Sequence, residues 1–249
     1  MRLLVRYLHS FVVWVVIALA TVLFGLPAIF AALVPPRGDW FIRFARGWAR
    51  TLLFAAGVPV RVLHPERLRS GRSCVIVANH ASGADILVLL STLPMQVRFL
   101  AKRSIFRLPF LGWSIAAAGF VPVDRGESRR SLATVEAALR KLHGGRCVVV
   151  FPEETRTRTG ELLPFKKGAA LLALRSGLPL LPVGITGTFH ILRRGSLLVT
   201  PGTVVLAVGE PIETTGKAGS SRADLTRVVR ERIEQLIEEG QAESPESKV

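Results

Sequence analysis

The stretch Asn-His-Ala-Ser-Gly-Ala-Asp at residues 79–85 contains two side chains that are able to move a proton. His80 is of a residue type that titrates near neutral pH, and a carboxylate such as Asp85 can hold an imidazole in one tautomer and stabilise its charged form. The same residues also have a structural explanation, because Ser82 followed by Asp85 is the pattern of a helix-capping box. At this point both interpretations stay open: a His–Asp pair for proton transfer, or an ordinary loop before a capped helix.

A nucleophile that would complete a hydrolytic triad is missing from the sequence. The pattern Gly-x-Ser-x-Gly, which presents the serine of α/β-hydrolases on a sharp turn, does not occur. A His–Asp pair without an enzyme nucleophile has to activate an alcohol or a water molecule that arrives with a substrate.

Apolar runs and helical stretches alternate after residue 58, and they place the pair between a strand and a helix. Several runs are continuously apolar, as is typical of strands that are buried on both faces of a sheet. Strands are predicted at 60–63, 74–78, 97–101, 120–123, 147–151, 178–185 and 204–208. Helices are predicted at 84–93, 131–143, 165–177 and 221–240. The pattern therefore predicts an α/β domain with helices on the faces of its sheet.

The N-terminal region has the composition of a membrane segment. Residues 11–34 carry no charge, and as a helix they would extend about 36 Å, more than the ~30 Å hydrocarbon core of a bilayer. We expect this segment to be a retained membrane anchor. One alternative is a signal peptide that is cleaved off. Another is a segment that Pro27 kinks into a re-entrant hairpin. Residues 39–57 combine arginines with aromatic side chains, which suits the lipid headgroup region, although a helix packed on the domain core is the alternative. The predicted domains are 1–57 (membrane anchor and interfacial helix), 58–240 (catalytic domain) and 241–249 (polar tail).

The formal net charge of +15 restricts the partners. Zinc-finger and RNA-binding signatures are absent, so we expect no nucleic acid; an anionic membrane surface or a phosphorylated substrate explains the charge better. The five histidines and two cysteines show no metal-ligand spacing, and neither a metal site nor a cofactor is predicted. Both cysteines lie in apolar runs, as expected of buried thiols in a reducing compartment.

Four stretches in this order resemble the motifs of the glycerolipid acyltransferase family, in particular bacterial 1-acyl-glycerol-3-phosphate acyltransferases. His80 and Asp85 match the His-x4-Asp motif. The other three are Gly-Phe-Val-Pro-Val-Asp-Arg (119–125), Phe-Pro-Glu-Glu-Thr-Arg (151–156) and Leu-Pro-Leu-Leu-Pro-Val-Gly-Ile (178–185), and residues 101–113 resemble the lysine-bearing segment of the family. The resemblance covers roughly residues 58–210 and implies a mixed, largely parallel sheet flanked by helices, with an N-terminal membrane-associated helical segment.

The resemblance also implies an activity and a site. It implies transfer of a fatty acyl group from acyl-CoA or acyl carrier protein to the sn-2 hydroxyl of lysophosphatidic acid, in phospholipid biosynthesis at the cytoplasmic face of the inner membrane. His80 would be the general base and Asp85 its orienting partner, with no acyl-enzyme. The expected substrate-binding residues are Lys102, Arg125, Glu153, Thr155 and Arg156; the three cations would hold the acceptor phosphate, and Glu153 would brace the turn.

One motif position departs from the family, because Glu154 replaces the usual glycine. A carboxylate that faced the acceptor phosphate would repel it, which would favour a less anionic acceptor. We expect Glu154 to face solvent instead, since the three cations are all retained. The alternatives are another lyso-lipid acceptor, such as a lyso-ornithine lipid or another lysophospholipid, a lipid hydrolase in which His80 activates water, and a non-enzymatic membrane-binding protein.

Overall fold

A computed structural model describes residues 2–33, 39–68, 71–123, 135–140, 142, 144–214 and 221–244. Its strands are β1 Val60–Leu63, β2 Val75–Ala78, β3 Gln96–Lys102, β4 Val121–Val123, β5 Arg146–Val150, β6 Leu180–Thr186 and β7 Val204–Val208. Its helices are α1 Arg2–Leu33, α2 Asp39–Ala55, α3 Ala84–Thr92, α4 Leu111–Ala117, α5 Gly168–Ser176, α6 Thr188–Ile191 and α7 Arg222–Ala242. Residues 135–139 are also helical, and short 3-10 helices occupy Pro65–Arg67 and Arg103–Arg107.

The seven strands form one sheet in the order β1-β7-β6-β2-β5-β3-β4. Strands β6, β2, β5, β3 and β4 are parallel, whereas β7 runs antiparallel to β6 and β1 pairs parallel with β7. The predicted α/β fold with a mixed, largely parallel sheet is therefore confirmed. Because β2, β5 and β3 are parallel neighbours, the residues that follow their carboxyl ends meet at one edge of the sheet.

Alternate residues of the central strands are buried in two different cores. On β2, Ile76 and Ala78 belong to the core beneath α1–α4, whereas Val75 and Val77 belong to the core beneath α5, α7 and the helical residues 135–139. The strands are thus covered on both faces, which explains their continuously apolar sequences. The two cysteines, Cys74 and Cys147, are free and buried, with their sulfur atoms 3.1 Å apart.

The N-terminal helix packs along the rest of the molecule instead of standing apart from it. Near its start, Ser10 accepts a hydrogen bond from the backbone N–H of Val199 at 3.0 Å. In its middle, Thr21 accepts one from the Trp48 indole of α2 at 3.2 Å. Further along, Gly25 contacts α4, where a Cβ on Gly25 would lie 3.3 Å from the Ser114 hydroxyl oxygen. The outer face of α1 is apolar and exposed, and Leu3–Ala31 is the one stretch of the described residues that is long and apolar enough to cross a bilayer.

Helix α2 packs on the domain core, which is the alternative interpretation of its sequence. Phe41, Ile42 and Leu53 are buried against the sheet side of the molecule. Two of its arginines bind backbone carbonyl groups at the end of α3: Arg46 donates to Leu93 O at 2.6 Å, and Arg50 donates to Ser91 O. Cations are favourable there, because the carboxyl end of a helix carries partial negative charge. Contact of α2 with lipid headgroups stays a prediction.

The start of α2 is fixed to the sheet by a three-residue ionic cluster. Asp39 accepts from Arg98 of β3 at 2.9 Å and from Arg146 of β5 at 2.9 and 3.0 Å. Arg98 is only 2% exposed. Burial would raise the pKa of Asp39, but the hydrogen bonds and charges of Arg146 and Arg98 outweigh it, so that the pKa lies below its ordinary value.

Most predicted element boundaries differ from the structure by one or two residues, and the helix predicted at 165–177 begins only at Gly168. Helix α7 continues to Ala242, two residues beyond the predicted stop at Gly240, and the remaining tail lies largely outside the described residues. The helix predicted at 131–143 is described only in part. The boundaries of the three predicted domains remain a prediction, and the first region shares the hydrophobic core of the second.

Removal of the Asp39 carboxylate should destabilise the protein. We expect Asp39→Ala to lower the free energy of unfolding by about 3 kcal/mol, because the buried Arg98 loses its counter-charge. Glu234→Ala breaks the exposed Arg230–Glu234 pair and should cost less than about 0.5 kcal/mol. Chemical denaturation of both variants measures the difference, and equal small losses would contradict this role of the cluster.

The contribution of Asp39 should also depend on pH. Its pKa is lower in the folded state than its ordinary value of 3.8, so its stabilisation is present above that value and is lost as the pH falls through the folded pKa. The difference in unfolding free energy between the wild type and Asp39→Asn should therefore be constant near pH 7 and should shrink below about pH 4. A difference that grows on acidification would be inconsistent with the lowered pKa.

Candidate active site

His80 and Asp85 form a buried pair beyond the end of β2. The Nδ1 atom of His80 lies 2.8 Å from Oδ2 of Asp85, and both side chains are buried, Asp85 completely. The other ring nitrogen, Nε2, has no hydrogen-bond partner within the described residues, and His80 lines a cleft. A pair of this geometry fixes the tautomer of the ring, with Nδ1–H donating to Asp85, and leaves Nε2 available to take a proton.

Asp85 also performs the structural role that its sequence position predicts. Besides the imidazole, its Oδ2 atom accepts hydrogen bonds from the backbone N–H groups of Ala81 and Ser82, each at 2.8 Å. The Ser82 hydroxyl oxygen accepts from the N–H of Ala84 at 3.2 Å, and α3 begins at Ala84. The two interpretations of this stretch are therefore compatible, because one carboxylate shapes the turn and orients the histidine.

The residue before His80 joins this turn to the neighbouring strand. Asn79 accepts from the N–H of Ile185 at 2.7 Å and donates to its carbonyl oxygen at 2.9 Å. Both bonds are buried, and they continue the pairing of β2 with β6 beyond the end of the strand. Asn79 was not predicted as a site residue from the sequence, although its position inside the motif was a signal for it.

Glu153, which follows β5, supports His80 from the backbone side. One carboxylate oxygen accepts from the N–H of His80 at 2.6 Å, and the other accepts from the N–H of Leu163 at 2.9 Å. Burial raises the pKa of Glu153 to about 7 despite these two hydrogen bonds. This geometry agrees with the expectation that Glu153 braces the turn, and its contacts are to the backbone. The ring of Phe151 stacks on the imidazole, with centroids 4.1 Å apart.

A cleft of about 900 Å³ opens at this edge of the sheet. One arm runs between α1, α2, α3 and α4 and is apolar; its walls include Phe24, Phe41, Phe44, Trp48, Leu90 and Ile105. The rest of the cleft is lined by apolar residues such as Val135 and Leu172, by the acidic Glu154 and by six cations, namely Lys102, Arg156, Lys166, Lys167, Arg194 and Arg222. A wall of this kind suits a ligand with a hydrocarbon chain and an anionic end.

Most of the predicted binding residues converge on this cleft. Lys102 ends β3, and Thr155 and Arg156 follow β5; all three line the cleft. Arg156 lies close to the His80 turn, since its Nη1 atom is 3.5 Å from the position of a Cβ on Gly83. Arg125 lies outside the described residues, so its place in the site remains a prediction.

Arg194 is a cation of the site that sequence reasoning missed. Its Nη1 atom donates to the hydroxyl oxygen of Thr155 at 3.1 Å and to the carbonyl oxygen of Arg156 at 3.2 Å. Arg194 lies in the loop between α6 and β7, and no pattern in the sequence connects that loop with the motif at 151–156. Thr155 therefore already has a protein partner in this structure.

Glu154 occupies a backbone conformation that explains the usual glycine of the family. Its φ is 56°, in the left-handed region that residues with a Cβ adopt only at a cost. The side chain is exposed, as expected, but it also borders the cleft.

Glu154→Gly should stabilise the fold. Glycine removes the strain of the left-handed backbone conformation, which stabilises the folded state by ~1–2 kcal/mol. It also gives the unfolded chain more conformational freedom, which lowers the free energy of unfolding by ~0.4–1 kcal/mol. We expect a net gain of about 0.5–1 kcal/mol and a rise in Tm of about 1–3 °C, measured by thermal unfolding. The matched control is Arg158→Gly in the same loop, where φ is not positive, which should lower Tm. A lower Tm for Glu154→Gly would contradict the strain at this position.

Comparisons with known proteins agree with this arrangement. A family model described as "Acyltransferase" matches residues 59–186. A chloroplastic 1-acyl-sn-glycerol-3-phosphate acyltransferase of Brassica napus is 36% identical over 63% of the chain, which spans 44% of that relative. The enzyme of the same name from Borreliella burgdorferi is 28% identical over 78% of the chain, which spans 77% of it.

The fold has a solved counterpart over nearly its full length. The crystal structure of the 1-acyl-sn-glycerophosphate acyltransferase PlsC from Thermotoga maritima aligns with a TM-score of 0.85 and 27% identity, and the match covers 97% of this chain and 98% of that one. The matched family residues contain the six strands β1 to β6, together with the His80–Asp85 pair and the turn after β5. The chain thus belongs to the Acyltransferase family, as its four ordered motifs predicted.

Proposed function

We propose that the protein transfers a fatty acyl group from an acyl thioester, acyl-CoA or acyl carrier protein, to the sn-2 hydroxyl of lysophosphatidic acid, which yields phosphatidic acid for phospholipid biosynthesis. The observation that carries the proposal is the buried His80–Asp85 pair, whose Nε2 atom has no hydrogen-bond partner among the described residues and lines a cleft with an apolar arm and several cations. The names of the relatives support the same acceptor.

The proposed reaction is a direct transfer within a ternary complex. Nε2 of His80 takes the proton of the acceptor hydroxyl as its oxygen attacks the thioester carbonyl carbon, and Asp85 stabilises the resulting imidazolium. The tetrahedral intermediate then collapses, the carbon–sulfur bond breaks, and the departing sulfur takes the proton from His80. No acyl-enzyme is needed, because the acceptor oxygen itself is the nucleophile.

The lining of the cleft supports separate binding places for the acceptor phosphate and for the fatty acyl chain. Lys102 and Arg156 line the same cleft as His80, and together with Arg125 we assign them to the acceptor phosphate. The guanidinium groups suit bidentate contacts with phosphate oxygens. The apolar arm between α1 and α4 suits the fatty acyl chain. Glu154 borders the cleft and adds a negative charge there, but its side chain is exposed to solvent. Because solvent weakens its repulsion of a phosphate, lysophosphatidic acid remains the expected acceptor.

The N-terminal helices support a position at a membrane, and the family resemblance favours the inner membrane with the active site facing the cytoplasm. Because α1 packs on α2, α4 and the loop at Val199, its exposed apolar face lies on the same body as the cleft. Insertion of that face into a bilayer would bring the cleft to the surface where a lysophospholipid resides. The net charge of +15 favours an anionic surface.

Substitution of the base should abolish most of the activity. We expect His80→Ala to lower kcat by at least ~10²-fold, because a positioned general base is lost. Asp85→Asn should also lose most of the activity, because the imidazole loses the carboxylate that orients it and stabilises its charged form. The measurement is acyl-CoA consumption with a panel of lyso-lipids that includes lysophosphatidate, a lyso-ornithine lipid and lysophosphatidylglycerol. His190→Ala removes an exposed histidine elsewhere and should leave the rate unchanged.

The same assay separates the alternatives. Preference for another lyso-lipid in the panel would indicate a different acceptor, and thioester loss without an acylated lipid would indicate a hydrolase. Wild-type rates in a folded His80→Ala protein would rule out the proposed dyad. Absence of acyl transfer with every acceptor and both donor classes would leave a membrane-binding protein that retains the fold.

The protein should remain in the membrane pellet after washing with high salt and with alkaline buffer. Apolar insertion of α1 is not screened by ions, in contrast to attachment through surface charge. Leu19 and Leu23 are 66% and 69% exposed on α1. The double variant Leu19→Glu/Leu23→Glu should therefore shift the protein toward the soluble fraction. Release of the wild type by salt alone would mean that it is held only by electrostatic attraction.

A further inference from the structure

The two cysteines of the chain lie side by side in the centre of the sheet. Cys147 belongs to β5, and Cys74 directly precedes β2. The two residues are 73 positions apart in the sequence, yet the Sγ atom of Cys74 donates a hydrogen bond to the Sγ atom of Cys147 at 3.1 Å. Neither cysteine lines the cleft that contains His80, so the proposed reaction does not use this pair.

The pairing of the two strands places the sulfur atoms opposite each other. Val75 of β2 is the partner of Val148 of β5, and the N–H of Val148 donates to the carbonyl oxygen of Cys74 at 3.2 Å. One position earlier, Cys74 is therefore opposite Cys147, and both side chains belong to the core beneath α1–α4.

The backbone at this position already has the spacing that a disulfide requires. Neighbouring strands lie about 4.8 Å apart, which is within the ~4.4–6.8 Å that separate the Cα atoms of bonded cysteines. The sulfur atoms would need to approach by only about 1 Å to reach the ~2.0 Å of an S–S bond. Rotation of the two side chains and a small shift of the strands suffice for that movement.

Two turns at the amino edge of the sheet lie next to the pair. Gly71 and Gly145 have φ angles of 87° and 75°, and a Cβ on Gly145 would lie 3.1 Å from the carbonyl oxygen of Gly71. The thiol of Cys147 donates to the carbonyl oxygen of Arg72 at 3.4 Å, and Arg72 is exposed. Although both cysteines are buried, a local opening of these turns would admit a small oxidant while the sheet stays intact.

We propose that Cys74 and Cys147 are a modification site, which hydrogen peroxide converts into a reversible disulfide between β2 and β5. The inference does not rest on the proposed function, because the pair lies outside the cleft. In a reducing compartment the two thiols are the resting form, and a disulfide that forms there is transient.

The oxidation proceeds in two steps. The hydrogen bond from Cys74 lowers the pKa of the Cys147 thiol, so Cys147 supplies the thiolate that attacks the peroxide. The O–O bond breaks, which leaves a sulfenic acid on Cys147 and a hydroxide that takes up the released proton as water. The sulfur of Cys74 then attacks the sulfur of Cys147, the S–O bond breaks, and a second water leaves with the proton of Cys74. The two thiols together lose two electrons, and the peroxide is reduced to two water molecules.

The disulfide should stabilise the fold and leave the site in place. A cross-link between residues that are 73 positions apart restricts the unfolded chain, which raises the free energy of unfolding. His80 and Glu153 follow the opposite, carboxyl ends of the same two strands, roughly 20 Å away at about 3.3 Å per residue. The bond between the His80 N–H and Glu153 should therefore persist in the oxidised protein.

The test counts free thiols in the wild type by alkylation in denaturant and mass spectrometry. The reduced protein should take up two alkyl groups, and the protein treated with a small molar excess of hydrogen peroxide should take up none. Dithiothreitol should then restore both. Thermal unfolding should give the oxidised wild type a Tm about 5 °C or more above that of the reduced form, and any acyltransferase activity should stay within about twofold. Cys147→Ala, which retains one thiol, should show no rise in Tm after the same treatment.

Four results would overturn the inference. They are two free thiols after peroxide treatment, a loss of thiols that dithiothreitol does not reverse, a disulfide that joins two chains and doubles the mass, and an equal Tm for the oxidised and reduced forms. All four are measured on the wild type, so they hold even when the Cys147→Ala protein does not fold.

Discussion

The buried carboxylate of Asp85 is the interaction on which the site depends. A carboxylate with no exposure to solvent needs hydrogen-bond donors, and here the ring of His80 and the N–H groups of Ala81 and Ser82 all point at Oδ2, whereas Oδ1 has no partner among the described residues. These bonds fix the turn between β2 and α3 and the orientation of the imidazole together. Glu153 holds the same turn from the neighbouring strand through the N–H of His80. The histidine is therefore positioned by two strands of the sheet and not by a loop alone.

The N-terminal helices are part of the cleft as well as the expected anchor. Phe24 of α1 and Phe41, Phe44 and Trp48 of α2 form the apolar arm that leads toward His80. The ionic cluster of Asp39 with Arg98 and Arg146 fixes the start of α2 to the edge of the sheet away from the site, at the amino ends of β3 and β5. The expected membrane attachment of α1 and the shape of the cleft thus involve the same part of the molecule, which would link the location of the protein to its chemistry.

The sequence predicts the parts of this arrangement that follow from local patterns. Most of the strands are recognisable because they are short, largely apolar runs, and His80 with Asp85 is recognisable because one motif contains both. Contacts between distant segments are not predictable in this way. Arg194 reaches Thr155 from a separate loop, and Ser10 of the apolar α1 pairs with Val199. The strain at Glu154 becomes visible only once its φ is known, although replacement of a glycine is a signal for it.

In the proposed reaction the acceptor hydroxyl attacks the thioester directly, with both substrates in the cleft at once. Initial rates at several fixed concentrations of lysophosphatidate, with acyl-CoA varied, test it most directly. We expect double-reciprocal lines that intersect, as in a sequential mechanism, and no acyl group on the enzyme when the donor is supplied alone. Parallel lines, together with a labelled acyl group trapped on a serine or cysteine at a kinetically competent rate, would contradict it.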